Sequence, residues 1–68
     1  MHMTAVITAA EEGGFVSYNP ETGTASQGET IEEAIANLRE AVELYLEVFP
    51  IKGGAAPLVT SFDVPEHA

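Results

Sequence analysis

The chain has no cysteine and no tryptophan, and its 68 residues include only two basic ones, Arg39 and Lys52. Without cysteine there can be no disulfide framework and no cysteine-based metal site. Long apolar runs are also absent, and Met1–Met3 does not begin a charged-then-apolar signal pattern. These absences predict one small cytoplasmic domain, without a membrane segment, that has a thin core. Self-association into a homo-oligomer is the expected additional support.

The charge balance is strongly acidic, with eleven Asp and Glu residues and a formal net charge of −9. Such a surface repels phosphates, so direct binding to nucleic acid is not expected. Two interpretations of the acidity remain open. It keeps the protein soluble, or it attracts a basic protein partner, since complementary charge speeds encounter.

The most clearly marked element is a helix from about Ile31 to Val48. Thr30 is an N-cap candidate, and Glu33, three residues later, completes a capping box by reaching back to the backbone N–H of Thr30. Apolar residues then recur at spacings of three and four, which is the pattern of a helix with one buried face. Pro50 ends the run.

The other segments predict four strands, at about 3–10, 15–19, 24–27 and 58–64. The first two are separated by a short glycine-containing turn, which favours a hairpin. The last alternates apolar and polar residues, as a half-buried strand does. The predicted fold class is α+β, with the order β-β-β-α-β in a single domain of residues 1–68. A small, mainly antiparallel sheet has the helix packed on one face.

Two segments carry recognisable motifs. Gly13–Glu21 reads Gly-Gly-Phe-Val-Ser-Tyr-Asn-Pro-Glu, and Gln27–Ala34 reads Gln-Gly-Glu-Thr-Ile-Glu-Glu-Ala. With these motifs the chain resembles the HicB antitoxin family over about Thr4 to Glu47. The resemblance implies a partial ribonuclease-H-like fold. It also implies binding of a small basic HicA-type toxin, which cleaves mRNA with a histidine and is neutralised when the antitoxin covers its active site.

The chain departs from this family in two places. Residues Thr22–Thr24 stand where the family has Leu-Pro-Gly and a further residue, so the loop between the second and third strands is altered. Full-length members also carry a C-terminal DNA-binding domain, for which no room is left before Ala68, so operator binding is not expected. The alternative function is therefore an orphan, self-associating domain of the same fold, without a toxin partner or catalytic activity.

An enzymatic role is not expected from the distribution of acidic residues. Ribonuclease-H-type catalysis needs several carboxylates on central strands to hold divalent metal ions. The first predicted strand has none, and the last has only Asp63. His2 and His67 lie at opposite ends of the chain, without metal-ligand spacing. We therefore predict no catalytic, metal or cofactor site.

The predicted partner-binding residues surround the second and third strands. Tyr18 either packs on the sheet or contacts a partner, and Glu29 either supports the helix start or contacts a partner. The full set is Tyr18, Glu21, Gln27 and Glu29. Five further residues are predicted to have structural roles in the turns and at the helix start: Gly14, Pro20, Gly28, Thr30 and Glu33.

Overall fold

The computed structural model describes residues 1–51 and 58–66. Three antiparallel strands form one sheet in the order β1-β2-β3, and the helix α1 packs on β3 and β2. Their bounds are β1 Val6–Ala9, β2 Phe15–Asn19, β3 Thr24–Gly28 and α1 Ile31–Val48. The predicted α+β class is confirmed, with the order β-β-β-α, and the helix and the second strand have the predicted bounds.

The first strand is shorter than the predicted 3–10. Just before β1, the backbone of Thr4 bonds to side chains: its N–H donates to the Glu21 carboxylate at 3.0 Å, and its carbonyl accepts from the Asn19 amide at 2.8 Å. The third strand extends one residue further than predicted, because Gly28 pairs with Phe15 across the sheet.

The predicted fourth strand is not formed. Residues 58–66 have neither helix nor strand, and the side chains of Leu58 and Phe62 are 90% and 86% exposed. Alternation of apolar and polar residues identifies a segment that is able to form a strand. It does not show that a neighbouring strand is there to pair with it.

The core between helix and sheet is small. Among the described residues its buried apolar side chains are Ala34, Leu38 and Val42, which follow one another at intervals of four along the helix. The sheet meets them partly with polar groups, since Ser17 and Asn19 are both completely buried. Within the described residues, apolar burial is therefore limited, and one buried hydrogen bond, from the Ser17 hydroxyl to the carbonyl of Ala34, joins the sheet to the helix.

The helix begins as the capping pattern predicts, with one difference. The Thr30 hydroxyl accepts a hydrogen bond from the backbone N–H of Glu33 at 3.1 Å. The Glu33 carboxylate, however, accepts from the N–H of Glu29 at 2.9 Å, one residue before the predicted N–H of Thr30. The two bonds hold the chain at its turn from β3 into the helix, so the structural roles predicted for Thr30 and Glu33 have a geometric basis.

Candidate functional site

Among residues 1–51 and 58–66, no helix packs on one of the two faces of the sheet. Side chains alternate along a strand, and the strand pairing places six residues together on this face, which we term the open face: Val6, Thr8, Val16, Tyr18, Ala25 and Gln27. Val6, Val16 and Tyr18 are 37%, 39% and 44% exposed. Tyr18 lies in one row with Val6 and Ala25, at the centre of an apolar patch that water reaches.

The central strand β2 is reversed relative to the usual pattern of apolar side chains inside and polar side chains outside. Ser17 and Asn19 face the helix, whereas Val16 and Tyr18 face solvent. The buried Ser17 hydroxyl donates to the carbonyl of Ala34 at 2.9 Å, which satisfies both groups. Two of the three apolar side chains of the middle strand, Val16 and Tyr18, are therefore directed onto the open face, whereas Phe15 lies half-buried on the side of Ser17 and Asn19.

An acidic depression of about 460 Å³ adjoins the open face where β3 leads into the helix. Gln27 and Val16 belong to both surfaces, and three carboxylates from Glu12, Glu29 and Glu33 line the depression. The Asn37 amide donates to the carbonyl of Gln27 at 2.8 Å and fixes β3 to the helix beside it. Gln27 is a diagonal neighbour of Tyr18 across the strand pair. Three of the four predicted partner-binding residues are thus brought onto one continuous surface.

Cations are scarce around this acidic depression. In residues 1–51 and 58–66 the one ion pair joins the Arg39 guanidinium to the Glu43 carboxylate at 3.6 Å, and both side chains are largely exposed. An i,i+4 pair of this kind is worth only about 0.3–0.5 kcal/mol. None of the carboxylates in the depression takes part in that pair, so their charge is available to a partner.

Glu21 lies at the opposite end of the sheet, and its carboxylate is occupied within the chain. It accepts hydrogen bonds from the Thr4 hydroxyl at 2.7 Å, from the Thr4 backbone N–H at 3.0 Å and from the Asn19 amide. These bonds, those from Thr4 above all, hold the pKa of Glu21 below its usual value. Glu21 therefore ties the N-terminal segment to the turn after β2 and does not join the other three residues.

Asn19 is a polar centre that sequence reasoning missed. Its amide donates to the carbonyl of Thr4, and its side-chain oxygen accepts from the backbone N–H and the hydroxyl of Thr22 at 2.9 and 2.6 Å. The Asn19-Pro20 pair is a turn signal that could have identified it. Pro20 lies in this turn and is half-buried. The contact with Thr4 spans 15 residues and has no sequence signal.

The two glycines predicted to be structural lie close together. Gly14 has φ +76°, and a Cβ there would meet the carbonyl oxygen of Gly28 at 2.8 Å. A Cβ on Gly28 would in turn contact the helix backbone, at 2.8 Å from the carbonyl carbon of Glu33 and closer still to the nitrogen of Ala34. The hairpin, the end of β3 and the first helical turn can approach one another because both residues lack side chains.

Groups of three or more His, Asp or Glu residues in metal-binding geometry do not occur among residues 1–51 and 58–66. His67 lies outside these ranges. None of the described helices is long and apolar enough to cross a membrane. The fold and surface together define a small α+β protein whose most distinctive feature is an apolar sheet face beside an acidic depression.

Comparison with known proteins shows that the chain belongs to the UPF0150 family. A UPF0150 protein of Thermoplasma acidophilum is 32% identical over 69 residues, an alignment that covers 100% of both chains. Relatives in Synechocystis sp. and Helicobacter pylori are 48% and 46% identical over 46 residues. Those two alignments cover 66% and 68% of this chain but only 64% of each relative. No family model and no solved structure matches the chain.

Proposed function

We propose that the chain is a HicB-like antitoxin module, which binds a small basic HicA-type toxin and covers its mRNA-cleaving site. The observation that carries the proposal is the open face, where Val16 and Tyr18 lie half-exposed beside the acidic depression. Exposed apolar patches next to polar groups are typical of protein-binding sites. The module acts by occlusion and performs no chemistry of its own.

The two parts of this surface have different tasks in the proposal. Tyr18 supplies a large ring with a polar tip, which is the kind of side chain that dominates binding energy at the centre of an interface. Glu12 and Glu29 supply negative charge that attracts the Lys and Arg side chains with which a toxin binds RNA. The antitoxin thus occupies the positive potential that phosphates would otherwise use.

The first experiment is capture of the tagged chain from its native cells, followed by identification of the proteins that copurify. A small basic protein at a near-stoichiometric amount is expected. When it is produced alone in a host cell, it should cleave mRNA and arrest growth, and coexpression of the chain should relieve both effects. Recovery of the bait alone from cells that express such a protein would contradict the proposal.

Two pairs of variants then test which surface binds the captured protein. Tyr18→Ala should abolish rescue of growth. Tyr45→Ala, which removes a ring that packs on Phe49 just after the helix, should not. Glu29→Lys should slow association by roughly tenfold at low salt, and the same charge change at Glu40 on the outer helix face should have little effect. If the two variants of either pair had equal effects, the captured protein would bind somewhere other than the open face and the acidic depression.

The alternative is an orphan domain that associates with itself and has no toxin partner. The limited core and the exposed apolar residues near the C-terminus favour self-association. The rescue assay separates the two functions, because an orphan domain relieves no toxicity whatever its oligomeric state.

A further inference from the structure

An apolar groove of about 440 Å³ lies on the helix side of the sheet, between the helix and the segment that leads into β1. Met3 and Ala5 line one wall, and Ile35, Leu38 and Leu46 line the other. The groove exists because the helix packs on β3 and β2, which leaves the part of the sheet next to β1 uncovered. We term it the β1 groove.

The β1 groove lies beside an unpaired strand edge. In the part of the chain that the structure describes, β1 has a neighbour on one side only, so the N–H and C=O groups on its other side have no described strand to bond. The backbone of Thr4, in the segment before β1, forms hydrogen bonds to the side chains of Asn19 at the end of β2 and of Glu21 just after it. An extended peptide could therefore bond to the free edge and place its apolar side chains in the groove.

The described part of the chain contains a segment with the matching pattern. In residues 58–64, Leu58, Phe62 and Val64 share one side of an extended chain, and they are 90%, 86% and 70% exposed. The chain has a radius of gyration of 14.1 Å, whereas a compact chain of this length has about 11 Å. Three large apolar side chains are thus left exposed to solvent.

We propose that residues 58–64 of a second copy of the chain bind in the β1 groove and pair with the free edge of β1. The segment of the same chain leaves the groove open, so a second copy can enter it, and reciprocal exchange fills both grooves of a two-fold dimer. The open face lies on the other side of the sheet, so the dimer does not depend on the proposed function.

The first test is the mass in solution, measured by light scattering on a size-exclusion column at micromolar concentration. The wild type should have twice the 7.2 kDa of one chain. Phe62→Asp should reduce the mass to that of one chain, because dimer formation would place a carboxylate among the apolar side chains of the groove. Val59→Asp, the matched control on the other side of the segment, should leave the dimer intact.

A second pair of variants tests the groove itself. Ile35 and Leu44 are both exposed helix residues, at 43% and 58%, but only Ile35 lines the groove. Ile35→Asp should give a folded monomer by circular dichroism, and Leu44→Asp a dimer. A wild type with the mass of one chain would overturn the proposal, as would a dimer that survives both Phe62→Asp and Ile35→Asp.

Isotope-filtered NOE spectra of a mixed dimer distinguish exchange between copies from closure within one chain. When one copy is labelled and the other is not, contacts between Phe62 and Leu38 should join different copies. Contacts found only within a copy would overturn the proposal, because the segment would then fill the groove of its own chain.

Discussion

Replacement of Gly28 by alanine tests how closely the helix approaches the sheet. The φ of Gly28 is not in the left-handed region, so any loss of stability in Gly28→Ala comes from steric contacts alone. The new Cβ would lie 2.8 Å from the carbonyl carbon of Glu33 and 2.9 Å from the Cα of Ala34. These are backbone atoms of a helix and cannot rotate away. Overpacking of this kind reduces the free energy of unfolding by about 1–3 kcal/mol. Because the neighbouring atoms are rigid, we expect Gly28→Ala to lie at the upper end of this range.

A loss of that size is large for this domain, because a core in a chain this short supplies only about 3–5 kcal/mol. With a urea m-value of about 1 kcal/mol per molar, the midpoint of unfolding should fall by about 2–3 M. The midpoint is measured by circular dichroism. The protein concentration is kept fixed, because association would make the stability depend on concentration.

Gly23→Ala is the matched control for this measurement. Gly23 has φ +76°, but a Cβ there would have no atom within 4 Å, so its cost is backbone strain alone, about 1–2 kcal/mol. Gly14→Ala combines strain with a clash and should cost more than Gly23→Ala. A Gly28→Ala midpoint within about 0.5 M of the wild type would refute the close approach of helix and sheet.

Three further predictions concern the hydrogen bonds. Ser17→Ala leaves the carbonyl of Ala34 without its side-chain donor and should reduce the free energy of unfolding in urea by about 1 kcal/mol. Thr30→Ala removes the N-cap and should also cost about 1 kcal/mol, with faster amide hydrogen exchange confined to the first helical turn. Hydrogen bonds from Thr4 lower the pKa of Glu21 in the folded chain, so they stabilise the fold fully above the ordinary carboxyl pKa, and this stabilisation is lost as the pH falls through the lowered pKa. The Thr4 amide resonance should shift in that range, and Glu21→Gln should abolish the shift.

The sequence predicts the helix well because its signals are local. A cap, a spacing of three and four, and a terminating proline all lie within one run of residues, and the helix has the predicted bounds from Ile31 to Val48. The fourth strand failed for the opposite reason. Whether residues 58–64 pair with a neighbour depends on which edge and groove are free, and alternation carries no information about either.

The candidate site was predictable to a similar extent. Strand alternation is enough to put Tyr18 and Gln27 on one face once the strands are paired, and Glu29 follows directly from the turn into the helix. Glu21 was assigned to the same group, but its carboxylate bonds to Thr4, which lies 17 residues away in sequence. Contacts of that separation leave no local pattern, and a conspicuous acidic residue near a turn is then easily assigned to an interface.

The reversed pattern of β2 has a consequence for how the sheet is aligned. Shifting β2 by one residue would turn Val16 and Tyr18 toward the helix and would bring Phe15, Ser17 and Asn19 to the open face. One more large apolar side chain would then face the core, which hydrophobicity alone would favour. The bonds from Ser17 to Ala34 and from Asn19 to Thr4 and Thr22 exist only in the observed alignment. Polar bonding therefore selects the strand register here, and it does so by keeping apolar side chains in solvent.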